Sequence, residues 1–269
     1  MKNDLVFAVI GGDRRQWFAA EFLKETGYTV YTFAMAQGLP YTELKQIRAN
    51  VYILPLPVSR DGKHLYTPEC DDVIPLSFLT EVLPSDAAVF AGRTDDPRWM
   101  DYSVSEYFSL QNAIPTAEGA LMLAMQNRNT VLCGSSVGVI GFGKIGRAVA
   151  ERFHRIGADI SVFARREEVR QEIRRLGYAA YETDAIGKNE CSLLINTVPE
   201  RILNHEILSA LSKETFFLEL ASPPYGADPD ILRALELRSL TASGIPGRYF
   251  PKTAGIAVAK TVLHFMMKG

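Results

Sequence analysis

The chain has 269 residues, of which 47% are hydrophobic, and a formal net charge of −2 at pH 7. This length allows two modest α/β domains, and the near-neutral charge argues against nucleic acid as a partner. Apolar runs fall short of the roughly 20 residues of a membrane span, so we expect neither a signal peptide nor a membrane segment. Cys70, Cys133 and Cys191 form neither a CxxC pair nor a metal cluster, which predicts no metal site and a reducing, cytoplasmic setting.

The first part of the chain alternates between strand and helix patterns. Residues 5–10 predict a buried strand, residues 14–26 a helix and residues 28–33 a second strand, which together form a βαβ unit. Further strands are predicted at residues 51–54 and 87–91. The loop between them is rich in Pro, Gly and charged residues, and its length is typical of functional or mobile loops.

A boundary between two domains is predicted near residues 112–119, where extended chain meets a helix. Residues 1–115 then form one α/β domain and residues 116–253 a second. The apolar residues 254–269 predict a final helix that returns to pack on the first domain. The predicted fold is therefore α/β, with two Rossmann-like doubly wound domains separated by a cleft.

The second domain carries the sequence Gly-Phe-Gly-Lys-Ile-Gly between a predicted strand and an amphipathic helix. In such a GxGxxG pattern the first glycine allows a tight turn, the second lets the backbone approach a pyrophosphate, and the third lets helix and strand pack closely. The helix N-terminus then faces the anion. We predict a dinucleotide site formed by Gly141, Phe142, Gly143, Lys144, Ile145 and Gly146.

The tip of the next predicted strand distinguishes NAD from NADP. NAD sites usually carry an acid there for the ribose hydroxyls, whereas a 2′-phosphate requires cations. Arg165 and Arg166 occupy this tip, and Asp159 precedes the strand, at the opposite end of the sheet. The sequence favours NADP and leaves NAD as the alternative, because two such arginines can also begin a charged surface helix.

Polar residues follow the later strands of this domain. Asn196 and Thr197 come at the end of a predicted strand and are expected to face the nicotinamide ribose, with Pro199 ending the strand beside them. Residues 221–228 follow the next strand. Pro and Gly also end strands without any function, so a plain turn is an equal alternative at both tips.

Two segments have the composition of carboxylate sites. Thr253 is predicted as the N-cap of the final helix beside Lys252, so a hydroxyl, N–H groups and a cation converge there. In the first domain Asp13 and Arg15 lie at a helix start, where Arg15 can bind a carboxylate through two parallel hydrogen bonds. A plain helix cap with a surface lysine is the alternative at Lys252.

The four histidines lie outside these tips, at His64, His154, His205 and His264. None has a partner at the spacing of a catalytic dyad, so each is interpreted as solvated or packed. This weakens a 2-hydroxyacid dehydrogenase, which commonly uses a histidine base.

With these residues the chain resembles, over nearly its whole length, the family of dipicolinate synthase A subunits. The resemblance rests on Gly-Gly-Asp-Arg-Arg-Gln at residues 11–16, Leu-Pro-Leu-Pro-Val-Ser at 54–59, Asn-Ala-Ile-Pro-Thr-Ala-Glu-Gly at 112–119, the glycine loop, and Gly-Ile-Pro-Gly at 244–247 with Pro-Lys-Thr-Ala-Gly at 251–255. Several of these are not general features of dinucleotide-binding folds.

The resemblance implies an NAD(P)-dependent oxidoreductase that, with a flavodoxin-like B subunit, converts a dihydrodipicolinate-type heterocycle to dipicolinate during sporulation, in the cytoplasm of the mother cell. A ring dicarboxylate needs two anion anchors. The candidates are Arg15, Arg93, Arg248, Lys252 and Thr253. The base that accepts the ring proton is left open among Lys252, which is expected to be buried, Asp13 and Glu118.

The sequence departs from the family pattern at two places. Glu219 stands where the strand would usually end in Asp, and Pro-Tyr-Gly at residues 224–226 replaces Pro-Gly-Gly. Two alternatives stay open: an NADP-binding sensor or scaffold subunit without its own catalysis, and a dehydrogenase of another small acid. A homo-oligomer is compatible with the sequence.

Overall fold

A computed structural model describes residues 5–268 of the chain. The chain divides into two compact units. The first is formed by the residues up to Asn112 together with those from Pro246 onwards, and the second by Ala113–Ile245. Each unit is built on its own parallel sheet. In the described part of the chain, no helix has both the length and the hydropathy of a membrane span.

The first unit contains a five-stranded parallel sheet. Its strands are β1 (Val6–Ile10), β2 (Thr29–Phe33), β3 (Val51–Ile53), β4 (Ala88–Ala91) and β5 (Met100–Asp101). They lie in the order β2-β1-β3-β4-β5, and all neighbouring pairs are parallel. The strand order reverses between β1 and β3. Ligands of such open sheets bind outside the carboxyl ends of the strands at this point.

The second unit contains a six-stranded parallel sheet. Its strands are β6 (Ser136–Ile140), β7 (Asp159–Phe163), β8 (Ala179–Tyr181), β9 (Leu193–Asn196), β10 (Phe216–Glu219) and β11 (Ser239–Thr241). Their order is β11-β10-β9-β6-β7-β8. This is the order of two mononucleotide-binding halves that meet between β6 and β9. The prediction of two doubly wound α/β domains is confirmed.

Helices cover the sheets and connect their strands. They are α1 (Arg14–Glu25), α2 (Leu76–Val82), α3 (Glu106–Gln126), α4 (Lys144–Arg155), α5 (Glu167–Arg175), α6 (His205–Ser209), α7 (Pro229–Ala234), α8 (Ile245–Tyr249) and α9 (Pro251–Lys268). Short 3-10 turns lie at Tyr41–Gln46, Tyr102–Val104 and Thr183–Lys188. α4 shows why such helices form: Val149 and Phe153 are fully buried, while Arg155 forms an exposed ion pair with Glu151 one turn away.

β1 is buried on both faces, which explains its unbroken apolar sequence. Phe7 and Val9 point to one face and belong to a core shared with α1 and α9. Ala8 and Ile10 point to the other face, in a core that includes Leu79 of α2. The alternation of side chains along one strand thus builds both cores of the first unit.

α9 packs against α1, as predicted for the final helix. The two helices come close at Gly255, where a Cβ atom would lie 2.3 Å from the backbone oxygen of Arg15 and 2.8 Å from the Cβ of Phe18. Ala257 and Val258 are buried in the same core. The glycine therefore determines how near the two helices approach.

Residues 112–119 are helical and not extended, because they lie inside α3. Pro115 lies within this helix, where it removes one backbone hydrogen bond, and the residue before a proline usually avoids the helical conformation. Ala113, Ala117 and Ala120 are buried along one side of the helix. Burial of this small-residue side offsets the local cost of the proline.

The long loop at residues 55–75 lies over the carboxyl edge of the first sheet. The N–H of Gly12, after β1, donates to the carbonyl oxygen of Tyr66 at 2.7 Å, and the N–H of Val58 donates to that of Gly92, after β4, at 2.8 Å. These backbone hydrogen bonds hold the loop where ligands of parallel sheets bind.

Replacement of Gly255 by Ala is expected to destabilise the first unit. A methyl group there would meet a backbone oxygen of α1, so the helices must separate. Alanine gains about 1 kcal/mol of helix propensity over glycine, but overpacking a close contact costs about 1–3 kcal/mol. Since the obstacle is backbone, we expect the cost to exceed the gain, and the free energy of unfolding in urea to fall by about 1–2 kcal/mol.

Lys252→Ala, at an exposed position of the same helix, is the control. It is expected to change the free energy of unfolding by less than about 0.5 kcal/mol. A Gly255→Ala variant as stable as the wild type would contradict the close approach of α1 and α9.

Candidate functional site

The glycine loop of the second unit connects β6 with α4. Gly141 follows β6 with a φ of +88°, a conformation that favours glycine. Gly146 lies so close to this turn that a Cβ atom would be 2.2 Å from the carbonyl oxygen of Gly141. The fold therefore requires both the first and the third glycine of the motif, for the reasons expected of a dinucleotide loop.

The N-terminus of α4 has the features of an anion site. Its N-cap is Gly143, and no side chain caps the helix. Lys144 and Ile145 form the first turn and are half-buried. Phe142 is buried beneath the guanidinium of Arg147, which lies 4.4 Å from its ring centroid, so its side chain packs the loop from behind.

Arg165 and Arg166 lie at the tip of β7, where the sequence placed them, and both are exposed. Arg166 is the N-cap residue of α5. Arg165 forms an ion pair with Glu200, with 3.3 Å between Nη1 and Oε2. Asp159 is the first residue of β7 and lies at the other end of the strand. The tip therefore carries two cations. It also carries one acid, Glu200, which is remote in sequence and was not predicted to lie there.

Arg170 holds the backbone of this tip in place. Its buried guanidinium donates to the carbonyl oxygens of Ala164 at 2.8 Å and Arg165 at 2.6 Å, and it forms a 2.6 Å ion pair with Glu182. Sequence reasoning missed this role, since one arginine inside a charged helix gives no signal for it.

Asn196 is oriented differently from the sequence prediction, because its side chain is fully buried. Its Nδ2 donates to Oε1 of Glu219 at 2.7 Å and to the carbonyl oxygen of Val198 at 2.9 Å, and its Oδ1 accepts from the N–H of Val198. The side chain points into the unit and bonds to protein groups, so the expected orientation toward the ribose is corrected.

Thr197 lies against the glycine loop. Its Oγ1 donates to the carbonyl oxygen of Ile140 at 2.7 Å. Oγ1 of Thr197 also lies 2.8 Å from where a Cβ of Gly141 would be and 3.3 Å from where a Cβ of Gly146 would be. Pro199, further along this segment, is exposed. Thr197 thus supports the loop from the neighbouring strand.

In the first unit, Asp13 and Arg15 form an ion pair at the start of α1. Asp13 is the N-cap residue, and its two carboxylate oxygens accept from Nε and Nη2 of Arg15 at 2.8 and 2.7 Å. Nη2 also donates to the carbonyl oxygen of Leu56. Burial works to lower the pKa of Arg15, but the hydrogen bond and charge of Asp13 outweigh it and raise the pKa. Arg15 is therefore a permanently charged cation at the carboxyl edge of the first sheet.

The segment that precedes α9 lies beside this pair. A Cβ atom on Gly247 would be 2.8 Å from Nε of Arg15. Arg248 follows directly and is exposed, with its guanidinium 5.3 Å from the ring centroid of Tyr249. Lys252, in the first turn of α9, is also exposed. The expectation of a buried lysine is therefore wrong, because this turn of the helix faces solvent at Lys252.

Thr253 lies inside the first turn of α9 and is not its N-cap. The helix begins at Pro251, since the fixed φ of proline suits the first helical position and its missing N–H costs nothing there. Thr253 is exposed.

Glu118 and Arg93 belong to different units. Glu118 is exposed on α3 in the second unit, where its Oε1 lies 3.7 Å from Nε of Arg152. Arg93 is exposed in the first unit with a φ of +56°, and its N–H donates to Oδ1 of Asp101 at 3.1 Å. Glu118 therefore does not share a unit with Asp13, the other predicted acidic base.

His64 forms a pair with Asp61 in the long loop. Its Nδ1 lies 2.6 Å from Oδ2 of Asp61, whose Oδ1 also accepts from the N–H groups of Lys63 and His64. The hydrogen bond from the His64 ring, followed by these backbone bonds, lowers the pKa of Asp61 well below its usual range. His64 therefore has a carboxylate partner that the sequence did not predict, while its side chain stays partly exposed at 41%, as expected for a solvated histidine.

A cavity of about 220 Å³ opens at the carboxyl ends of β1 and β2. Its lining joins an indole with two acids and one arginine. The lining residues are Gly12, Asp13, Arg14, Trp17, Met35, Ala36, Gln37 and Glu69. Sheets of this type bind ligands at this edge, so the first unit has room for a small molecule beside the Asp13–Arg15 pair.

Two family models match the chain. The model of the N-terminal domain of the dipicolinate synthase A subunit matches residues 6–101, and that of the NAD-binding domain of D-isomer specific 2-hydroxyacid dehydrogenases matches residues 116–245. The second match contains the glycine loop and the β7 tip. It supports a nicotinamide cofactor and an NAD-dependent oxidoreductase.

Similar proteins cover nearly the whole chain. The dipicolinate synthase A subunit of Bacillus subtilis (strain 168) is 29% identical over 285 residues, which cover 97% of this chain and 96% of the relative. Its counterpart among solved structures, the crystal structure of the same subunit from Bacillus subtilis, has a TM-score of 0.89 at 28% identity, covering 100% of this chain and 97% of that one. The crystal structure of the dipicolinate synthase A subunit from Bacillus halodurans has a TM-score of 0.91 at 24% identity, covering 99% of each chain, and shows the same fold. The N-terminal family model and the relatives aligned along the full length agree that the chain is similar to dipicolinate synthase A subunits.

Proposed function

We propose that this chain, in partnership with a flavodoxin-like B subunit, oxidises a dihydrodipicolinate-type heterocycle to dipicolinate with NADP, in the mother-cell cytoplasm of a spore-forming bacterium. The observation that carries the proposal is the cation Arg15 at the carboxyl edge of the first sheet, which Asp13 holds and against which Gly247, next to the exposed Arg248, is packed. The second unit of the same chain holds a dinucleotide loop. The name of the Bacillus subtilis relative supports this product and a second subunit.

The charges of the first unit suit a ring dicarboxylate. Arg15 is held at the sheet edge by its ion pair with Asp13. Arg248 and Lys252 are exposed cations on the segment that packs against Arg15 through Gly247. Carboxylates form strong charge-assisted hydrogen bonds with such groups. We assign Arg15 and Arg248 to the two substrate carboxylates, with Arg93 and Thr253 as further polar groups of the same unit, and leave Lys252 to the proton transfer.

The reaction removes two hydrogen atoms from the heterocycle. A bound nicotinamide supplies the acceptor for the hydride from one ring carbon. A proton leaves the neighbouring ring atom for a base of the protein, and the ring becomes aromatic. Lys252, in its neutral amine form, is the proposed proton acceptor, because both oxygens of Asp13 are bound to Arg15 and Glu118 belongs to the other unit.

The β7 tip supports NADP as the dinucleotide. Arg165 and Arg166 are exposed there, on a backbone that Arg170 holds, so their guanidinium groups are available to a 2′-phosphate without rebuilding the turn. The ion pair between Arg165 and Glu200 lies at the surface, where such pairs contribute little stability. A phosphate can therefore replace Glu200 as the partner of Arg165 at small cost.

Arg165→Asp is expected to weaken NADPH binding far more than NADH binding. Hydrogen bonds to charged groups contribute about 1.5–3 kcal/mol, which corresponds to roughly 10- to 100-fold in affinity for NADPH. NADH lacks the 2′-phosphate and should change by less than about threefold. Both dissociation constants are measured by titration of the nicotinamide fluorescence.

Arg155→Asp makes the same charge change on the last turn of α4 and serves as the control. It should leave the ratio of the two affinities unchanged. If Arg165→Asp lowers both affinities equally, or lowers neither, Arg165 does not bind the 2′-phosphate. NAD then replaces NADP in the proposal.

Lys252→Ala is expected to reduce turnover at least about 100-fold, since loss of a general base typically costs 10²- to 10⁴-fold in rate. The dissociation constant for NADPH should stay at its wild-type value, because Lys252 lies in the first unit and the glycine loop in the second. Turnover is followed as NADPH formation at saturating substrate, and Lys260→Ala on the same helix is the control.

His64, which is paired with Asp61, is the alternative proton acceptor to Lys252. An imidazole with one nitrogen held by a carboxylate is also suited to accept a proton. His64→Asn is therefore assayed beside Lys252→Ala. Wild-type turnover in Lys252→Ala together with loss of turnover in His64→Asn would contradict the role of Lys252 and transfer it to His64.

The purified chain, without a partner, is expected to reduce NADP⁺ when dihydrodipicolinate is supplied, because both the dinucleotide loop and the proposed substrate groups belong to it. Absorbance at the NADPH band measures the reaction, and a panel of 2-hydroxy acids is the control for substrate class. A chain that binds NADPH but shows no turnover, alone or with the B subunit, would instead be a sensor or scaffold. Faster oxidation of a 2-hydroxy acid would identify a dehydrogenase of another small acid.

A further inference from the structure

Glu219 places a buried carboxylate at the carboxyl edge of the second sheet. It is the last residue of β10, and only 1% of its surface is exposed. Its Oε1 accepts from Nδ2 of Asn196 at 2.7 Å and from the N–H of Ala221 at 2.9 Å, and its Oε2 accepts from the N–H of Gly226 at 2.9 Å. Burial raises the pKa of Glu219, although these hydrogen bonds work to lower it.

The carboxylate and the amide of Asn196 together hold two loops. The two residues lie opposite each other on β10 and β9. Through Ala221 and Gly226 the carboxylate binds both ends of the loop that follows β10. Through Asn196 it is connected to both the N–H and the carbonyl oxygen of Val198, in the loop that follows β9.

Asn196 is packed tightly between the two loops, so its side chain has no space for another orientation. A Cβ atom on Gly226 would lie 2.2 Å from Nδ2 of Asn196. On the other side, the Cγ2 of Val198 lies 2.6 Å from where a Cβ of Gly141 would be. The loop after β9 is thus in contact with the glycine loop, and the loop after β10 is in contact with Asn196.

A contribution to the stability of the fold does not by itself explain the buried carboxylate of Glu219. A buried carboxylate loses its hydration, and neutral donors compensate for that loss only in part. Apolar side chains of similar volume at buried polar sites are often as stable or more stable. What an apolar pair cannot do is bind the backbone of two loops in one arrangement, which points to a functional reason for the carboxylate.

The position of Glu219 in the sheet indicates which ligand group the loops serve. In a sheet of this order the two halves bind one mononucleotide each, on either side of the reversal between β6 and β9. The glycine loop and the β7 tip belong to the half that binds the adenosine ribose. The loops after β9 and β10 therefore belong to the half that binds the nicotinamide.

We propose that Glu219 is a positioning residue for the nicotinamide half of the bound dinucleotide: its carboxylate, with Asn196, fixes the loops after β9 and β10 that receive the nicotinamide ring. It does not touch the cofactor itself. This inference rests on the proposed function, because it assumes that the second unit binds NADP.

Ligands that represent the two halves test this role. Adenosine 2′,5′-bisphosphate carries the adenosine and the 2′-phosphate but no nicotinamide, whereas NADPH carries both halves. Glu219→Gln replaces one acceptor oxygen by an NH₂ group that faces a donor, so a loop N–H or the Asn196 amide loses its partner. We expect NADPH to bind at least about tenfold more weakly to this variant and adenosine 2′,5′-bisphosphate to bind as to the wild type.

Two further variants complete the experiment. Glu214→Gln makes the same chemical change at an exposed position before β10 and should bind both ligands as the wild type does. Glu219→Asp keeps the carboxylate but shortens its reach, and should show a smaller loss for NADPH only. If Glu219→Gln does not fold, Glu219→Asp and Gly226→Ala, which presses a methyl group onto Asn196, carry the test, and both should weaken NADPH selectively.

The outcomes separate this inference from the proposed function. Unchanged NADPH affinity in Glu219→Gln, or an equal loss for both ligands, overturns the positioning role, since the first shows no effect and the second a general structural one. A wild-type chain that binds NADH but not adenosine 2′,5′-bisphosphate contradicts NADP as the cofactor. In that case ADP-ribose and NADH replace the two ligands, and a selective loss of NADH in Glu219→Gln still supports the positioning role.

Discussion

The contact between the backbones of Gly141 and Gly146 is the constraint on which the second unit depends. Neither position tolerates a side chain, because α4 must begin directly over the end of β6. Thr197 and Val198 then occupy the space that a side chain on Gly141 would need. A loop that approaches a pyrophosphate with its backbone must itself be packed from behind by backbone and small groups, and β9 supplies them. The glycine motif is therefore one half of a contact whose other half lies more than fifty residues away in the sequence.

The two units stabilise their carboxylates in different ways. In the second unit the carboxylate of Glu219 is stabilised by neutral amide donors, so its charge is used to organise backbone. In the first unit the carboxylate of Asp13 is neutralised by its ion pair with Arg15. On the neighbouring segment, Arg248 and Lys252 are exposed and positively charged. This arrangement suits an anionic substrate. In the second unit, the N-terminus of α4, which no side chain caps, suits the phosphates of a dinucleotide.

Local patterns carried the sequence predictions that succeeded. The apolar run of β1 and the spacing of glycines at 141–146 each express a rule that acts within a few residues, and both elements form where expected. Failures came where the decisive partner is remote in sequence. The helix through Pro115 is stabilised by burial that its own dipeptides do not indicate. Asn196 was expected to face a ligand, and only the register of β9 with β10 shows that Glu219 already binds it.

The first unit is assembled from two separated stretches of chain, since α9 supplies buried residues to the core that begins with β1. During synthesis the whole of the second unit leaves the ribosome before α9 does. The second unit can therefore acquire its sheet while the first unit still lacks one side of its core, because domains generally fold as units and in order of synthesis. The first unit is thus the last part of the chain to acquire a complete core, after the unit that carries the glycine loop.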